Sequence, residues 1–305
     1  MRPAVALIAL GCLFLAGCGG SRGGSDEVSK TTATAPSGSL EALWRNPGPD
    51  VAIVPGTSDY GPGTNRVSFL IVDSKSQLVE RPTARVWVAR GLKQKPYAET
   101  VARLEPIGVP GGLKADAQNI YVAKIETPAP GTYWLLAEPV GGRRIQALGN
   151  VVVKKQPAAP AIGDRAIPSR NPTVAGGRDP RRITTARPPD TELLRVSVAQ
   201  ALAAKKPFVV TFSTPQYCQT RACGPVVQVV QSVAKRWQPR GVDFIHIEIY
   251  KGNDPAQGTN RWVDEWRLQS EPFTFVVDRA GVIRAKLEGA FSAAELEAAV
   301  KKVAA

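Results

Sequence analysis

Two cysteines, Cys218 and Cys223, are the residues of this sequence best suited to covalent chemistry. A cysteine thiolate is a nucleophile and a metal ligand, and two neighbouring cysteines can form a disulfide. Five positions on an α-helix turn through ~500°, which leaves the two side chains about 140° apart. Both cysteines therefore cannot lie on one helix and be bonded to each other. We expect Cys218 in a loop and Cys223 near the start of a helix opened by Gly224-Pro225, which permits a disulfide.

The N-terminus contains the other two cysteines, Cys12 and Cys18. An apolar run from Ala4 to Ala16 follows one positive charge, which is typical of a secretory signal peptide and too short to span a bilayer. The run ends in Leu15-Ala16-Gly17-Cys18, which resembles the bacterial lipobox. The resemblance implies a signal peptide over 1–17, lipidation of Cys18, and a Gly/Ser/Thr-rich tether over 18–47. An ordinary signal peptide with an accidental cysteine is the alternative.

The expected location is therefore the extracytoplasmic face of a cell membrane, where a lipid anchors the chain. Only Cys218 and Cys223 would remain in the folded protein, and an oxidising exterior favours a disulfide between them. The chain has 39 Lys and Arg against 26 Asp and Glu, yet residues 154–189 alone hold eight basic and two acidic residues. That stretch contains no aromatic residue to stack on bases, so we expect an anionic membrane surface as its neighbour and no nucleic acid.

Residues 48–155 have the pattern of an all-β domain. Short runs rich in β-branched and aromatic residues are separated by Gly/Pro turns, which favours an immunoglobulin-like β-sandwich. A short helix is expected around Tyr97–Leu104. The domain contains neither Met nor His, so we expect an adaptor or spacer rather than a copper site. The predicted strands are Arg66–Val72, Arg85–Arg90, Ile120–Ile125, Tyr133–Glu138 and Ile145–Val153.

Residues 156–189 form a Pro/Gly/Arg-rich linker that cannot build a core, and we expect it to be mobile, with a docked, extended connection as the alternative. Residues 190–305 then alternate between helical and strand patterns. Helices are predicted over Thr191–Ala204, from Gly224 to Trp237, over Trp262–Leu268 and over Ser292–Ala304, and strands over Pro207–Ser213, Val242–Tyr250, Phe273–Asp278 and Val282–Glu288.

This order of elements resembles the thioredoxin-like superfamily. A buried strand, a short loop, Cys218, Cys223 and a helix follow one another, and Glu271-Pro272 directly precedes the strand FTFVVD, where that family places a cis-proline. The resemblance implies an α/β thioredoxin-like domain over 190–305, a cis bond before Pro272, and packing of the cysteines against it. It also implies thiol–disulfide exchange, although the family uses two residues between its cysteines and this chain has four.

Three further residues are expected to shape the site. Pro272 would lie beside the sulfurs, Arg221 would stabilise a thiolate, and the Glu271 carboxylate would oppose one. The order of the family makes Cys218 the nucleophile, whereas proximity to the helix N-terminus favours Cys223. The sequence leaves this choice open.

The chain is thus predicted to be a monomeric, lipid-anchored protein that exchanges disulfides with exported protein thiols, with a membrane reductase or oxidase as a further partner. We expect no cofactor and no metal. A non-catalytic interaction module with a structural or sensing disulfide is the main alternative. A copper chaperone using both thiols and His246 is the second, but a histidine in mid-strand favours hydrogen bonding to a neighbour. Trp262 and Trp266 lie one helical turn apart, and we expect both side chains to pack in the core or at its rim rather than to bind a ligand.

Overall fold

A computed structural model describes residues 35–45, 50–218 and 222–304 of the chain. The chain from Ala35 to Ala305 forms one compact unit. Cys18, the predicted site of lipidation, and Arg221, which was expected to stabilise a thiolate, lie outside the described residues. Within the described ranges, no helix is long and apolar enough to cross a membrane.

The described N-terminal half folds into a closed barrel of seven strands in the order β1-β2-β5-β4-β3-β6-β7. Neighbouring strands pair antiparallel, except that β1 meets β7 in parallel where Ala52 lies opposite Leu148. The strands are β1 Val51–Pro55, β2 Gly63–Asp73, β3 Thr83–Ala89, β4 Ala98–Pro106, β5 Asn119–Thr127, β6 Gly131–Pro139 and β7 Ala147–Val153.

A single apolar core fills the barrel, because alternate residues of each strand point inward. Phe69 and Tyr121 stack with ring centroids 5.5 Å apart, and Tyr133 is fully buried in the same core. The hydroxyl of Tyr121 accepts a hydrogen bond from the backbone N–H of Arg81, so its polar end is satisfied inside the barrel.

The described C-terminal half contains a four-stranded mixed sheet in the order β11-β10-β8-β9. Strands β8 and β9 are parallel, whereas β10 pairs antiparallel with both β8 and β11. Every residue of β8 and β10 is buried, which explains their continuous apolar sequences. The strands are β8 Phe208–Ser213, β9 Asp243–Glu248, β10 Phe273–Val277 and β11 Ile283–Glu288.

Helices near the start and near the end of the C-terminal half both pack on this sheet. The closing helix has a capping box, in which the Glu295 N–H donates to Ser292 Oγ at 3.1 Å and the Ser292 N–H donates to the Glu295 carboxylate at 3.4 Å. The α-helices of the described residues are α1 Leu40–Leu43, α2 Val198–Ala203, α3 Cys223–Trp237, α4 Arg261–Glu265 and α5 Ala293–Ala304. Short 3-10 turns lie at Ala175–Gly177, Pro180–Arg182, Thr191–Leu194, Gln238–Arg240, Lys251–Asn253 and Pro255–Gln257.

The predicted fold class, an immunoglobulin-like sandwich followed by an α/β thioredoxin-like domain, is wrong. The described residues form a closed seven-stranded barrel and a small mixed sheet with few helices. The local pattern of short alternating strands is the same for a sandwich and a barrel, and it is the pairing of β1 with β7 that closes the sheet. The helix expected over Thr191–Ala204 is a 3-10 turn followed by the six-residue α2.

Two smaller expectations are also wrong. The short helix expected around Tyr97–Leu104 is strand β4, which lies between β3 and β5. Its alternation was obscured because the apolar Val101 faces solvent while the small Ala102 faces the core. The segment 156–189 is docked rather than mobile: the N–H groups of Ala158 and Ala159 donate to the Asp59 carboxylate at 2.6 and 3.0 Å.

Buried polar contacts fix the barrel against the C-terminal sheet. The Glu288 carboxylate accepts hydrogen bonds from the backbone N–H groups of Ser58 and Asp59, both at 2.9 Å. Arg66 of β2 forms a bidentate ion pair with Glu295 at 2.7 and 2.9 Å. These contacts hold two sheets from opposite halves of the sequence in one arrangement.

Candidate functional site

The two cysteines lie between the end of β8 and the first turn of α3. The backbone N–H of Cys218 donates to the Thr214 carbonyl at 3.1 Å, which places Cys218 in a turn after β8. Cys223 is the first residue of α3 and is fully buried. Its backbone N–H donates to Cys218 Sγ at 3.3 Å. The spacing argument is confirmed, since one cysteine is in the loop and the other begins the helix.

The loop that precedes β10 completes the site. The peptide bond between Glu271 and Pro272 is cis, as predicted. The Glu271 carboxylate and the sulfur atoms of Cys218 and Cys223 all lie within 4.8 Å of one another. The carbonyl of Pro272 accepts the N–H of Gly289 at 2.8 Å, which ties this loop to the end of β11. The structure therefore brings Cys218, Cys223, Glu271 and Pro272 together.

The electrostatics of the site favour the protonated forms of Cys223 and Glu271. Burial raises the pKa of the Cys223 thiol far above its usual range, and the nearby Cys218 and Glu271 add to the effect. Burial also raises the pKa of Glu271 from 4.5 to about 7, and the charges of Cys218 and Glu248 contribute in the same direction. A carboxyl group that titrates near neutrality can accept and return a proton at physiological pH.

The two cysteines lie in different environments, and this difference bears on which of them attacks, a choice that the sequence left open. Cys218 is partly exposed, and its sulfur accepts an N–H at the start of the fifteen-residue helix α3. Helix N-termini stabilise thiolates because their N–H groups and the helix dipole favour negative charge. Cys223 is buried and its thiol is held protonated. The geometry favours Cys218 as the attacking sulfur.

Two tyrosines near the site were not found from the sequence. Tyr217, which directly precedes Cys218, keeps 38% of its surface exposed, and its ring meets that of Tyr250 edge-on at 6.3 Å. Burial raises the pKa of Tyr250, and the nearby Glu271 and the two cysteines add to the effect. The position of Tyr217 next to a cysteine was the available signal, whereas Tyr250 is brought there by the fold.

The docked segment 156–189 supports the cysteine loop. The hydroxyl of Thr185 accepts the backbone N–H of Gln216 at 3.2 Å, two residues before Cys218. The same hydroxyl donates to the buried Glu248 carboxylate at 2.8 Å, which also accepts the Thr185 N–H at 2.7 Å. A stretch that reads as a linker thus positions the loop that carries the exposed sulfur.

The barrel also reaches the site, through the loop between β4 and β5. The backbone N–H of Leu113 in this loop donates to Gln228 Oε1 of α3 at 2.7 Å. A Cβ added to Gly108 would lie 3.4 Å from Pro225, so the loop also packs on the first turn of the helix. The sequence predicted an adaptor or a spacer, and a spacer alone does not account for these contacts.

His246 and the two tryptophans belong to the packing of the sheet. His246 is buried, and its ring nitrogens lie 3.0 Å from Ser213 Oγ and 3.2 Å from Thr184 Oγ1. Burial lowers its pKa, which keeps the ring neutral. Trp266 is fully buried between aromatic rings and donates its indole N–H to Ser169, and Trp262 packs on the same core. The bonding and packing expected of these residues are confirmed.

Within the described residues, the cluster of Cys218, Cys223 and Glu271 is the group whose ligand atoms lie close enough to hold a metal ion. Two thiolates and a carboxylate would suit Zn²⁺, and the thiolates alone would suit Cu(I). His246 is not part of this group. Comparison of the chain with protein-family models and with curated protein sequences finds no match.

Proposed function

We propose that the protein exchanges disulfides with exported proteins, with Cys218 as the nucleophile and Cys223 as the resolving thiol. One observation carries the proposal: a partly exposed sulfur and a buried sulfur lie together at the N-terminus of α3, beside a carboxyl group whose pKa is about 7. This arrangement separates attack from resolution, because only one of the two sulfurs is accessible to a second protein.

In the first step, the Cys218 thiolate attacks one sulfur of a substrate disulfide. A bond forms between Cys218 Sγ and that sulfur, the substrate S–S bond breaks, and the other substrate sulfur leaves as a thiolate. The N–H of Cys223, at 3.3 Å from Cys218 Sγ, helps to stabilise the attacking thiolate. The product is a mixed disulfide between Cys218 and the substrate.

In the second step, Cys223 resolves the mixed disulfide. Its thiol gives its proton to the Glu271 carboxylate, directly or through one water, since these atoms lie within 4.8 Å. Cys223 then attacks Cys218 Sγ, the intramolecular disulfide forms, and the second substrate sulfur leaves and takes up a proton. The substrate gains two electrons and the protein loses two, and the reverse sequence oxidises a substrate dithiol.

A membrane partner would return the protein to its starting redox state, and the proposed lipid anchor at Cys18 would keep it close to such a partner. The residues Leu15-Ala16-Gly17-Cys18 after the apolar run support the anchor. Labelling of cells with a fatty-acid analogue should mark the wild type and leave Cys18→Ala unmarked. Equal labelling of both proteins would exclude the anchor.

The test of the reaction is to trap the mixed disulfide on the full chain. Cys223→Ser should accumulate a covalent adduct with a disulfide substrate, because the resolving thiol is absent, whereas Cys218→Ser should form none. Reductase and thiol-oxidase assays on the same variants should lose turnover in both. Adducts that form equally on either single variant would contradict the assignment of roles.

The alternative function is a structural or sensing disulfide in a non-catalytic module, and the buried Cys223 is the observation that favours it. A reduction potential below about −300 mV would indicate a structural bond, and a higher potential would indicate a catalytic or regulatory one. Equilibration of the full chain with glutathione buffers gives this potential. We expect a value above that limit, because Cys218 is accessible.

A further inference from the structure

Residues 184–186 of the docked segment, which we call the clasp, lie against strand β9. His246 and Glu248 are two positions apart on this strand, so their side chains point to the same face of the sheet. The clasp bonds to both of them: the Thr184 hydroxyl lies 3.2 Å from Nδ1 of His246, and the Thr185 N–H donates to the Glu248 carboxylate at 2.7 Å. Both threonines are buried. The clasp is therefore part of the packed core and not a connection that passes over it.

The hydroxyl of Thr185 joins the clasp to the loop that carries Cys218. It donates to the Glu248 carboxylate at 2.8 Å and accepts the backbone N–H of Gln216 at 3.2 Å. One oxygen atom thus connects a buried carboxylate to the backbone of the loop. A hydroxyl that donates to a carboxylate is a better acceptor, because the two hydrogen bonds polarise each other. The core therefore determines where the Gln216 N–H lies.

The cysteine loop is held at two places. At its base, the Cys218 N–H donates to the Thr214 carbonyl at 3.1 Å, and in its middle the Gln216 N–H donates to Thr185. The Cys218 sulfur lies 3.3 Å from the N–H nitrogen of Cys223, close to the limit for such a contact. Because Cys218 follows Gln216 by two residues, a shift of that N–H would move the sulfur away from the start of α3.

We propose that Thr185 is a positioning residue for the reacting cysteine, and that docking of the clasp sets the rates of both steps of the exchange. The proposal rests on the proposed disulfide exchange and adds the segment that controls it. Attack needs the Cys218 sulfur at the helix N-terminus, and resolution needs the Cys223 sulfur aligned with it. A misplacement of about 1 Å can slow a reaction about 10²-fold, so loss of one bond to the loop is enough to affect both steps.

Two neighbouring threonines provide a matched variant and control. The hydroxyl of Thr184 bonds to His246 and within the clasp, whereas that of Thr185 bonds to the cysteine loop. Thr185→Val and Thr184→Val each remove a buried hydroxyl and keep the branched shape, and Thr185→Ser keeps the hydroxyl. Urea unfolding should show that both valine variants lose stability. A merely structural role of Thr185 would therefore change stability in both variants and leave the rates of exchange unchanged.

Dithiodipyridine, a small neutral disulfide, separates the two steps on the reduced full chain. Attack by Cys218 releases one pyridinethione in a second-order phase and leaves a mixed disulfide, and attack by Cys223 on the Cys218 sulfur releases the other in a first-order phase. We expect Thr185→Val to slow the first phase about fivefold and the second about tenfold. Thr184→Val and Thr185→Ser should stay within about twofold of the wild type.

The possible outcomes separate the positioning role from the reaction. Unchanged rates in Thr185→Val, or an equal loss in Thr184→Val, would overturn the proposal. A faster first phase in Thr185→Val would also overturn it, because the clasp would then shield the sulfur instead of positioning it. A wild type that releases one pyridinethione and no second would refute the proposed exchange, whereas its first phase would still test the position of Cys218.

Hydrogen exchange on the wild type provides a measurement that needs no folded variant. Gln216 is an exposed loop residue, but its N–H bonds to a buried oxygen. We expect this N–H to exchange at least about tenfold more slowly than in an unstructured peptide of the same sequence. Exchange at the rate of the peptide would show that the clasp does not hold the loop, and would overturn the proposal even if Thr185→Val fails to fold.

Discussion

The carboxyl group of Glu271 makes a specific prediction about stability and pH. It lies within 4.8 Å of both sulfurs, and burial is the main reason that its pKa rises from 4.5 to about 7. The folded protein thus holds this proton more tightly than the unfolded chain does. Glu271→Gln keeps the size and shape of the side chain but removes the charge, so it isolates the contribution of the ionised form.

The magnitude follows from the size of the shift. A rise from 4.5 to about 7 is about 2.5 pH units, or about 3 kcal/mol at ~1.36 kcal/mol per unit before solvent screening. Because Glu271 is only half-buried, screening by solvent reduces the expected contribution to roughly 1–2 kcal/mol. Because the pKa of Glu271 is raised in the folded protein, this residue does not lower the free energy of unfolding below pH 4.5. Its ionisation progressively lowers the free energy of unfolding between pH 4.5 and 7, and the full reduction is present above pH 7. Glu271→Gln should therefore be more stable than the wild type by roughly 1–2 kcal/mol at alkaline pH.

Urea unfolding of the reduced full chain at roughly pH 4 and pH 8 measures this difference. The free energy of unfolding of the variant relative to the wild type should grow by roughly 1–2 kcal/mol between the two pH values. Glu99→Gln, a change on an exposed strand residue, is the control and should give a profile parallel to the wild type. A pH-independent difference for Glu271→Gln, or a less stable variant at pH 8, would refute the reasoning.

Two other predictions concern the junction between the barrel and the sheet. Gly289 and Gly111 share a φ of +71°, but a Cβ on Gly289 would lie 2.4 Å from a backbone oxygen while one on Gly111 meets nothing within 4 Å. In urea unfolding, Gly289→Ala should cost about 3 kcal/mol and Gly111→Ala about 1, and equal costs would contradict the close approach. Lys286 pairs with the buried Asp59 at 2.9 Å, whereas the half-exposed Lys154 lies 3.8 Å away. Lys286→Met should cost about 3 kcal/mol and Lys154→Met under about 1, and the reverse order would be inconsistent with the pairing.

Local chemistry was enough to place most elements and the central part of the site. Buried strands such as β8 and β10 are visible because every residue is apolar or small, and α5 is visible because Ser292 and Glu295 form its cap. The five-position offset of the cysteines excludes that both lie on one helix with neighbouring sulfurs, and Gly224-Pro225 indicated that the helix begins at Cys223. The proline before β10 likewise lies where its position in the sequence predicted.

The tertiary structure decided everything that depends on distant pairs. The residue pattern of a strand does not indicate which strand it pairs with, so the sequence could not predict that β1 and β7 close the barrel. Strand β4 was missed because its alternation of apolar and polar residues is weak. The choice of Cys218 rather than Cys223 as the proposed nucleophile depends on how deeply each side chain is buried, and the surrounding core determines that burial. The barrel is linked to the C-terminal sheet because Glu288, late in the chain, accepts hydrogen bonds from Ser58, in the first third of the chain. Residues give a segment its period and its chemistry, but long-range packing determines which segments share a surface.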